Sequence, residues 1–169
     1  IVRLRSPPAK GDPESRVGVN RVAQDADRSP VFDVDAVGNE SPIKAWTKGA
    51  PPPVEIHHFQ AVPFDGKIYL VGAMTGPYPT EPPLANVFIY DPAADTWAEG
   101  PEIPAGRRRG GAGAVLHNGE IIVIAGITNG HSDGHVTWVD AFNPKTGQWR
   151  QLPDAPRARD HFHAAIIDN

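Results

Sequence analysis

Residues 111–125 read GAGAVLHNGEIIVIA, and this stretch decides the fold. Two apolar runs, 111–116 and 121–125, flank the dipeptide Asn118-Gly119. Asn-Gly between apolar runs predicts a two-residue β-hairpin turn, because both positions tolerate positive φ. The second run is apolar at every position, which is typical of a strand buried on both faces. The stretch therefore predicts a hairpin within a sheet that packs against a neighbour on each side.

The residues that follow complete a four-stranded unit. A loop is predicted over Ile127–His135, and a third strand over Thr137–Phe142. Asn143-Pro144 ends that strand, because proline cannot donate a hydrogen bond to a ladder. The last strand, Gln148–Gln151, carries Trp149. A sheet that is apolar on both faces must stack on others, and radial closure is one way in which such sheets hide their edges.

The unit recurs along the chain. Trp46, Trp97 and Trp149 are spaced by 51 and 52 residues. Further markers keep the same register: Asp91-Pro92 recurs as Asn143-Pro144, Ile68–Val71 as Ile121–Ile124, Phe64-Asp65-Gly66 as His117-Asn118-Gly119, and, two periods apart, His58–Ala61 as His161–Ala164. Markers that share one register indicate a true internal repeat with a period of about 50 residues.

These repeats resemble those of the kelch family. A kelch repeat combines a period near 50 with an apolar strand ending at a glycine pair, a Tyr-Asp-Pro type of turn and a tryptophan about six residues later. This sequence has Leu70-Val71-Gly72, Tyr90-Asp91-Pro92 and Trp97 in those places. The resemblance covers residues 35–169. It implies an all-β fragment of a kelch-type β-propeller, related in fold to the central domain of galactose oxidase.

The two units depart slightly from the kelch pattern. In place of the usual Gly-Gly pair, one unit has Gly72-Ala73 and the next has Ala125-Gly126. Phe142 stands where the first unit has Tyr90. These are changes of side chain at tight backbone positions, so they predict divergent kelch blades rather than another fold.

The blades can be placed by number. Residues 1–30 carry scattered charges, proline and glycine without a period of 2 or 3.6, and are expected to be disordered or extended. The partial propeller, 31–169, divides into a blade end (31–50), two full blades (55–103 and 107–153) and a blade start (157–169). Propellers have about 4–8 blades. The remaining blades are expected from a longer chain, which is favoured, or from other copies of this one.

Composition excludes several classes of function. The formal net charge is −4 at pH 7, and no nucleic-acid partner is predicted because such a partner calls for a basic field. The lack of cysteine excludes disulfides and thiolate chemistry. No apolar run approaches the ~20 residues of a membrane span. The first residue is Ile, so a processed or partial product is expected; the compartment stays open, with an extracellular or periplasmic location favoured.

Arginines precede the first strand of two blades. Arg107 and Arg109 lie before one of them, and Arg159 lies at the matching place in the next blade. The kelch resemblance implies that such positions look toward the mouth of the central channel, as do His58 and His161 nearby. Guanidinium is a planar fork of donors, so converging arginines suit an anionic or polyhydroxy ligand. Pairing with acids of adjacent blades is the alternative.

Other polar side chains surround these positions. His161 and His163 alternate onto one face of a strand, and two imidazoles so placed can share a metal. No third ligand is fixed by spacing, so a hydrogen-bonding role is favoured, and neither a metal nor a cofactor is predicted. The candidate ligand-binding residues are His58, Gln60, Arg107, Arg109, Asn129, His131, His135, Arg159, His161 and His163.

Two functions follow as hypotheses. The favoured one is a binding or scaffold module whose loops 75–83 and 127–135, with the Arg/His positions, hold a protein or a glycan-like ligand. The other is part of a carbohydrate-active enzyme, a hydrolase or lyase, with acid–base groups at the channel mouth. No catalytic residue can be assigned. The copper site of galactose oxidase includes a Tyr–Cys crosslink, for which this chain has no cysteine.

Overall fold

A computed structural model describes residues 48–167. The expectations for residues 1–30, and for the blade end at 31–50 apart from its last three residues, lie outside the described part. Across residues 48–167, no helix is both long enough and apolar enough to span a membrane. Within this described range, a single 3-10 turn, Ala105–Arg107, accompanies ten strands: β1 (Gln60–Phe64), β2 (Lys67–Val71), β3 (Asn86–Asp91), β4 (Thr96–Glu102), β5 (Gly113–His117), β6 (Glu120–Ile124), β7 (Ile127–Asn129), β8 (Asp133–His135), β9 (Val139–Phe142) and β10 (Trp149–Leu152).

Two antiparallel four-stranded sheets correspond to the two predicted full blades. The first has the strand order β1-β2-β3-β4, and the second has the order β10-β9-β6-β5. In the first sheet each strand pairs with the next strand along the chain. The second sheet follows the same order, except that β7 and β8 lie between β6 and β9 in sequence and form a separate two-stranded ribbon. The expectation of an all-β fold with two complete four-stranded units is confirmed.

The first hairpin of each blade turns as the sequence predicts. Asp65-Gly66 has φ values of 49° and 72°, and Asn118-Gly119 has φ values of 50° and 77°. A type I′ turn needs positive φ at both central residues. The flanking strands pair without a slip from the turn outward, so the two hairpins share one register.

The connection predicted as a loop over residues 127–135 contains a further hairpin. β7 and β8 pair through Ile127 with His135 and Asn129 with Asp133. The prediction of a simple loop was wrong because Ile127 is fully buried and anchors the ribbon. By contrast, the strand expected from residue 161 is not formed over 161–167, where no strand of the described chain pairs with the segment.

The main core lies between the two sheets. Rings of Tyr69 and Phe142 approach to 6.4 Å between centroids across this interface. The second sheet is also covered on its other face, where Phe162 and Ala164 pack on it. This explains the continuous apolar run of β6, in which residues Ile121–Ile124 are all buried. The core between the sheets comprises Val62, Tyr69, Val71, Val87, Ala112, Ala114, Ile121, Val123 and Phe142.

The first position of the divergent glycine pairs keeps one backbone conformation. Gly72 and Ala125, at the same repeat position, have φ values of 67° and 54°. An alanine there carries a strain of roughly 1–2 kcal/mol, which the packed core around it can offset. At Gly126 a β-carbon would lie 2.7 Å from the carbonyl oxygen of Gly110. Glycine is therefore required for space at position 126, whereas the matching position of the first blade holds Ala73.

Candidate functional site

Successive blades are joined at the entry of their innermost segments. The backbone N–H of Gly111 donates to the carbonyl of His58 (2.9 Å), and the N–H of His161 donates to the carbonyl of Gly111 (2.8 Å). The three residues have φ values of 52°, 59° and 49° in chain order. They lie 53 and 50 residues apart, so each occupies the same place in its repeat. Side chains at this repeat position in successive units are therefore brought close together.

Gly111 leaves room at that point for two histidines. The rings of His58 and His161 come to 4.6 Å between centroids, although they belong to units two periods apart. A β-carbon at Gly111 would already lie 3.5 Å from Cε1 of His161. A larger side chain in the middle unit would fill the gap between the two rings.

A third histidine comes from the loop of the second blade. His131 lies at the tip of the β7–β8 ribbon, with its ring 4.9 Å from that of His58 and 5.0 Å from that of His161. Its backbone N–H donates to the carbonyl of Pro79 in the first blade's loop (3.1 Å). One ring nitrogen from each of the three histidines lies within 4.8 Å of the other two. We call these three residues the imidazole cluster.

Hydrogen bonds orient every ring of the imidazole cluster. Nδ1 of His131 donates to the carboxylate of Glu81 (2.9 Å), and Nδ1 of His161 donates to Asp160 (2.6 Å). Nδ1 of His58 lies 2.9 Å from Nδ1 of His57. Nε2 of His57 donates to the carbonyl of Gly76 (3.0 Å), so in neutral His57 Nδ1 is the acceptor and His58 must be the donor. In the neutral form of each cluster ring, Nδ1 carries the proton and Nε2 keeps its lone pair.

Burial and the neighbouring side chains shift the pKa of His58. Burial, followed by the neighbouring imidazoles of His161 and His57, lowers the pKa of His58 from its ordinary value. The buried carboxylate of Glu81 opposes this shift. Glu81 is only 4% exposed, and a buried carboxylate needs a charged or hydrogen-bonding partner. The neutral form of His58 is therefore favoured, which keeps its Nε2 lone pair available.

An exposed aromatic residue stands beside the cluster. Tyr78 is 73% exposed, and its ring meets that of His131 at 5.2 Å between centroids. On the other side a cavity of about 200 Å³ is lined by His58, Phe59 and His161, among others. Phe59 is itself 40% exposed. This end of the blades thus combines three imidazoles with two accessible aromatic rings.

Arg109 does not reach this mouth, contrary to the expectation from the sequence. It is 1% exposed and points into the second blade. Its guanidinium donates to the carbonyls of Ala125 (2.6 Å) and Val123 (3.0 Å), and Nη1 lies 2.7 Å from the carboxylate of Asp140. Arg107 pairs with the same carboxylate at 3.0 Å. Both arginines therefore follow the alternative expectation of pairing with an acid. That acid, Asp140, lies in their own blade and not in an adjacent one.

Gln60 is also used inside the fold. Its Oε1 accepts from the backbone N–H of Ala114 (3.0 Å) and of Ala164 (2.9 Å), and its Nε2 donates to the carbonyl of Ala164 (3.0 Å). The side chain therefore ties β1 to β5 and to the segment after residue 160. A ligand would have to break these bonds to bind it.

The other predicted residues lie around the cluster rather than within it. Asn129 donates to Asp133 (2.9 Å) inside the ribbon, and His135 lies 3.3 Å from a carboxylate oxygen of Asp160. Arg159 and His163 line a larger cavity of about 510 Å³. The suggested pair of His161 with His163 is thus replaced by a group in which His161 meets His58 and His131.

Sequence reasoning did not name His57 or Glu81 as site residues, and it included Tyr78 only as part of the loop 75–83 that could hold a partner. A signal for two of them exists in the repeat itself. Glu81 and Tyr78 precede His131 by 50 and 53 residues, close to one period. Residues one period apart occupy the same loop of adjacent blades, so they are expected to be neighbours.

The two sheets coincide with segments of known type. Residues 56–104 and 108–156 match the family model described as the Kelch motif, and together they cover more than half of the chain. The chain belongs to the kelch-repeat family. Each kelch segment contains one four-stranded sheet, so each is one blade of a β-propeller.

Several kelch proteins are similar in sequence. The chain is 33% identical over 126 residues to Kelch-like protein terF of Aspergillus terreus, covering 72% of this chain and 28% of that protein. It is 32% identical over 123 residues to Kelch-like protein 23 of Mus musculus, covering 72% and 20%. It is 30% identical over 142 residues to Alpha-scruin of Limulus polyphemus, covering 81% and 15%. The chain spans less than a third of the length of each of these relatives.

A solved structure shares the fold. The structure of YjhT matches with a TM-score of 0.56 and 18% identity, over 66% of this chain and 41% of that one. At this identity the likeness concerns the blade architecture alone. Kelch repeat modules are typically protein-binding scaffolds.

Proposed function

We propose that this kelch chain is a protein-binding module whose contact surface is the end of the blades that carries Tyr78 and the imidazole cluster. The observation that supports this most directly is Tyr78, which is 73% exposed on a well-braced loop. Tyrosine is enriched at interface hot spots, because it offers a large apolar face and a hydroxyl with few rotatable bonds. An exposed, preorganised tyrosine suits a protein partner better than it suits a small solute.

The loop that carries Tyr78 is held in place before any partner arrives. Thr75 N–H donates to the carbonyl of Pro82 (3.1 Å), and Thr80 N–H donates to that of Pro77 (3.1 Å). The neighbouring blade braces the same loop through His131, whose N–H donates to Pro79 (3.1 Å). Prolines in the loop further limit its unbound conformations. Binding there would forfeit little conformational entropy.

The exposed area of Tyr78 sets the scale of the effect. A tyrosine buries about 150–250 Å² when fully covered. At about 25 cal/mol per Å², covering the exposed 73% would contribute roughly 3–5 kcal/mol before entropic losses. Truncation of a residue of this kind at an interface typically costs 2 kcal/mol or more, which is about 30-fold in affinity.

A peptide library displayed on phage, selected on the full chain, supplies a probe for this surface. Selected peptides are titrated against the wild type, Tyr78→Ala and Ile167→Ala. Tyr78→Ala should weaken binding by at least ~30-fold. Ile167 is a matched control because it is 45% exposed but lies at the larger cavity; its change should stay within about threefold. A larger effect of Ile167→Ala, or peptides indifferent to Tyr78, would refute the proposed surface.

The larger cavity is a weaker candidate for a glycan-like ligand. Arg157, Arg159 and His163 line it, but its lining also includes Ile124 and Ala125 on the outer face of the second sheet. In a propeller such a face packs on the next blade. We therefore infer that its occupant is a further blade, from a longer chain or from another copy. The carbohydrate-active alternative also relied on Arg109, whose guanidinium is buried.

A further inference from the structure

We propose that the imidazole cluster, His58, His131 and His161, is a binding site for a divalent transition-metal ion of the Zn²⁺ class. One nitrogen from each ring lies within 4.8 Å of the other two. The three residues come from three different repeat units, and Gly111, at the matching position of the middle unit, adds no side chain between them. This assignment goes beyond the proposed protein-binding function and does not rest on it.

The proton positions support ligation. The acceptors at Glu81 and Asp160 take the Nδ1 protons of His131 and His161, and the relay through His57 to the Gly76 carbonyl fixes the tautomer of His58. In its neutral form each cluster ring therefore has a lone pair, and not an N–H donor, at Nε2. These lone pairs have no hydrogen-bond donor among the cluster rings, and a cation bound by the Nε2 atoms would satisfy all three.

The surroundings match those of metal-bound histidine. A ligating imidazole generally donates its other N–H to a carboxylate or a carbonyl, which fixes the ring and raises its basicity. Glu81 and Asp160 play that part here, and Glu81 is 4% exposed. The two carboxylates behind the rings add negative charge next to the cluster, which favours a bound cation.

The geometry fits an ion with three nitrogen ligands. Metal–nitrogen bonds of about 2.0–2.1 Å in a tetrahedral site place ligand atoms roughly 3.3 Å apart. Small rotations of partly exposed rings would close the present separations of up to 4.8 Å. Imidazole suits Zn²⁺, Co²⁺, Ni²⁺ and Cu²⁺, and hard cations such as Mg²⁺ and Ca²⁺ prefer oxygen. Three ligands leave one coordination position open toward solvent.

A second group, His57, His58 and Glu81, also brings three ligand atoms within 4.8 Å of one another. It is the weaker candidate, because both ring nitrogens of His57 already form hydrogen bonds, Nε2 with the carbonyl of Gly76 and Nδ1 with His58. The two assignments predict different effects of mutation on metal binding. Loss of His161 abolishes the first site and leaves the second intact.

The test is titration of the untagged full chain, stripped with EDTA and dialysed, with ZnCl₂ in a calorimeter. One ion should bind per chain, and His161→Ala or His131→Ala should weaken binding by at least ~100-fold, since even outer hydrogen-bonding partners are worth about 10–100-fold. Glu81→Gln should weaken it about tenfold or more. His117→Ala is the matched control, because His117 lies at the β5–β6 turn beside Asn118 and should leave the affinity unchanged.

Cobalt provides a readout that does not depend on heat. Co²⁺ in a three-imidazole site with four or five ligands should give a visible absorption band that is absent in His161→Ala, and added imidazole should shift the band if a position is open. Thermal unfolding in EDTA checks that each variant folds, and His161→Gln replaces the alanine variant if that one does not. Binding of Zn²⁺ that survives loss of His161 within about threefold, or the lack of one-to-one binding in the wild type, would overturn the assignment.

Discussion

Replacing Arg109 by methionine should destabilise the second blade by about 3–5 kcal/mol. Arg109 is 1% exposed, and its guanidinium donates to the carbonyls of Ala125 and Val123 while it pairs with Asp140 at 2.7 Å. Burial lowers the pKa of Arg109 from its ordinary value, and the charge of Asp140 opposes that shift. The side chain thus depends on one carboxylate and on a set of backbone acceptors.

The magnitude follows from what methionine would leave behind. Methionine fills much of the same volume, so the cavity contribution is small. The carbonyl of Ala125 loses a charged donor, and hydrogen bonds to charged groups are worth about 1.5–3 kcal/mol each. Asp140 keeps Arg107 at 3.0 Å, which limits the loss but leaves a 4% exposed carboxylate with one cation in place of two.

The adjacent arginine gives a matched control. Arg108 pairs with Glu102 at 2.8 Å, but the two side chains are 35% and 69% exposed. Exposed pairs of this kind contribute about 0–1 kcal/mol, so Arg108→Met should change little. Comparing the same substitution at these two consecutive positions therefore separates the effect of losing a buried arginine from the effect of losing one positive charge.

Urea unfolding of the three proteins, followed by tryptophan fluorescence, measures the difference. Trp138, one of the chain's four tryptophans, has its ring centroid 5.9 Å from Cζ of Arg109, so part of the signal comes from the site. A loss at Arg109→Met of less than about 1.5 kcal/mol, or no larger than that at Arg108→Met, would contradict the reasoning. Combining Arg109→Met with Asp140→Asn should cost less than the sum of the two single changes, because the residues interact directly.

Two further predictions concern single side chains. Gln60→Ala should remove exchange protection from the backbone N–H groups of Ala114 and Ala164, which its Oε1 accepts; amide exchange followed by NMR checks this, and unchanged protection would contradict it. The N–H of Ala94 in the β3–β4 turn is the main cause that lowers the pKa of Asp91. The stabilisation this carboxylate contributes is therefore complete above its unfolded pKa of about 3.9 and is lost as pH falls through its lower folded pKa. Asp91→Asn keeps an oxygen acceptor, as Asn143 does in the next blade, so its free energy of unfolding should fall less steeply below about pH 4; equal acid slopes for the two proteins would refute this.

The blades could be predicted from the sequence because several independent signals agree there. Asp65-Gly66 and Asn118-Gly119 specify the same turn, and the apolar run of β6 specifies burial on both faces. These features act over a few residues, so periodicity and turn chemistry suffice to find them. The ribbon β7–β8 was missed because its strands are three residues long each. Such short strands take their stability from Ile127, whose burial depends on the rest of the fold.

The direction of the arginines could not be predicted in the same way. Arg109 turns inward because the carbonyls of Ala125 and Val123 converge beside Asp140. That convergence depends on the left-handed backbone at Ala125 and on how β6 and β9 pair. A sequence pattern shows neither, so a charged residue before a strand was interpreted as facing the channel mouth.

The repeat itself points to the functional end of the molecule. At positions that form the core, successive units carry similar side chains, as in Ile68–Val71 and Ile121–Ile124. At the blade entry, by contrast, successive units carry His58, Gly111 and His161 with one backbone conformation and one hydrogen-bond pattern. Packing would be served by the same residue each time. The change of side chain on a constant backbone brings His58 and His161 together without a side chain from Gly111 between them, and His131 joins these two imidazoles from the second blade.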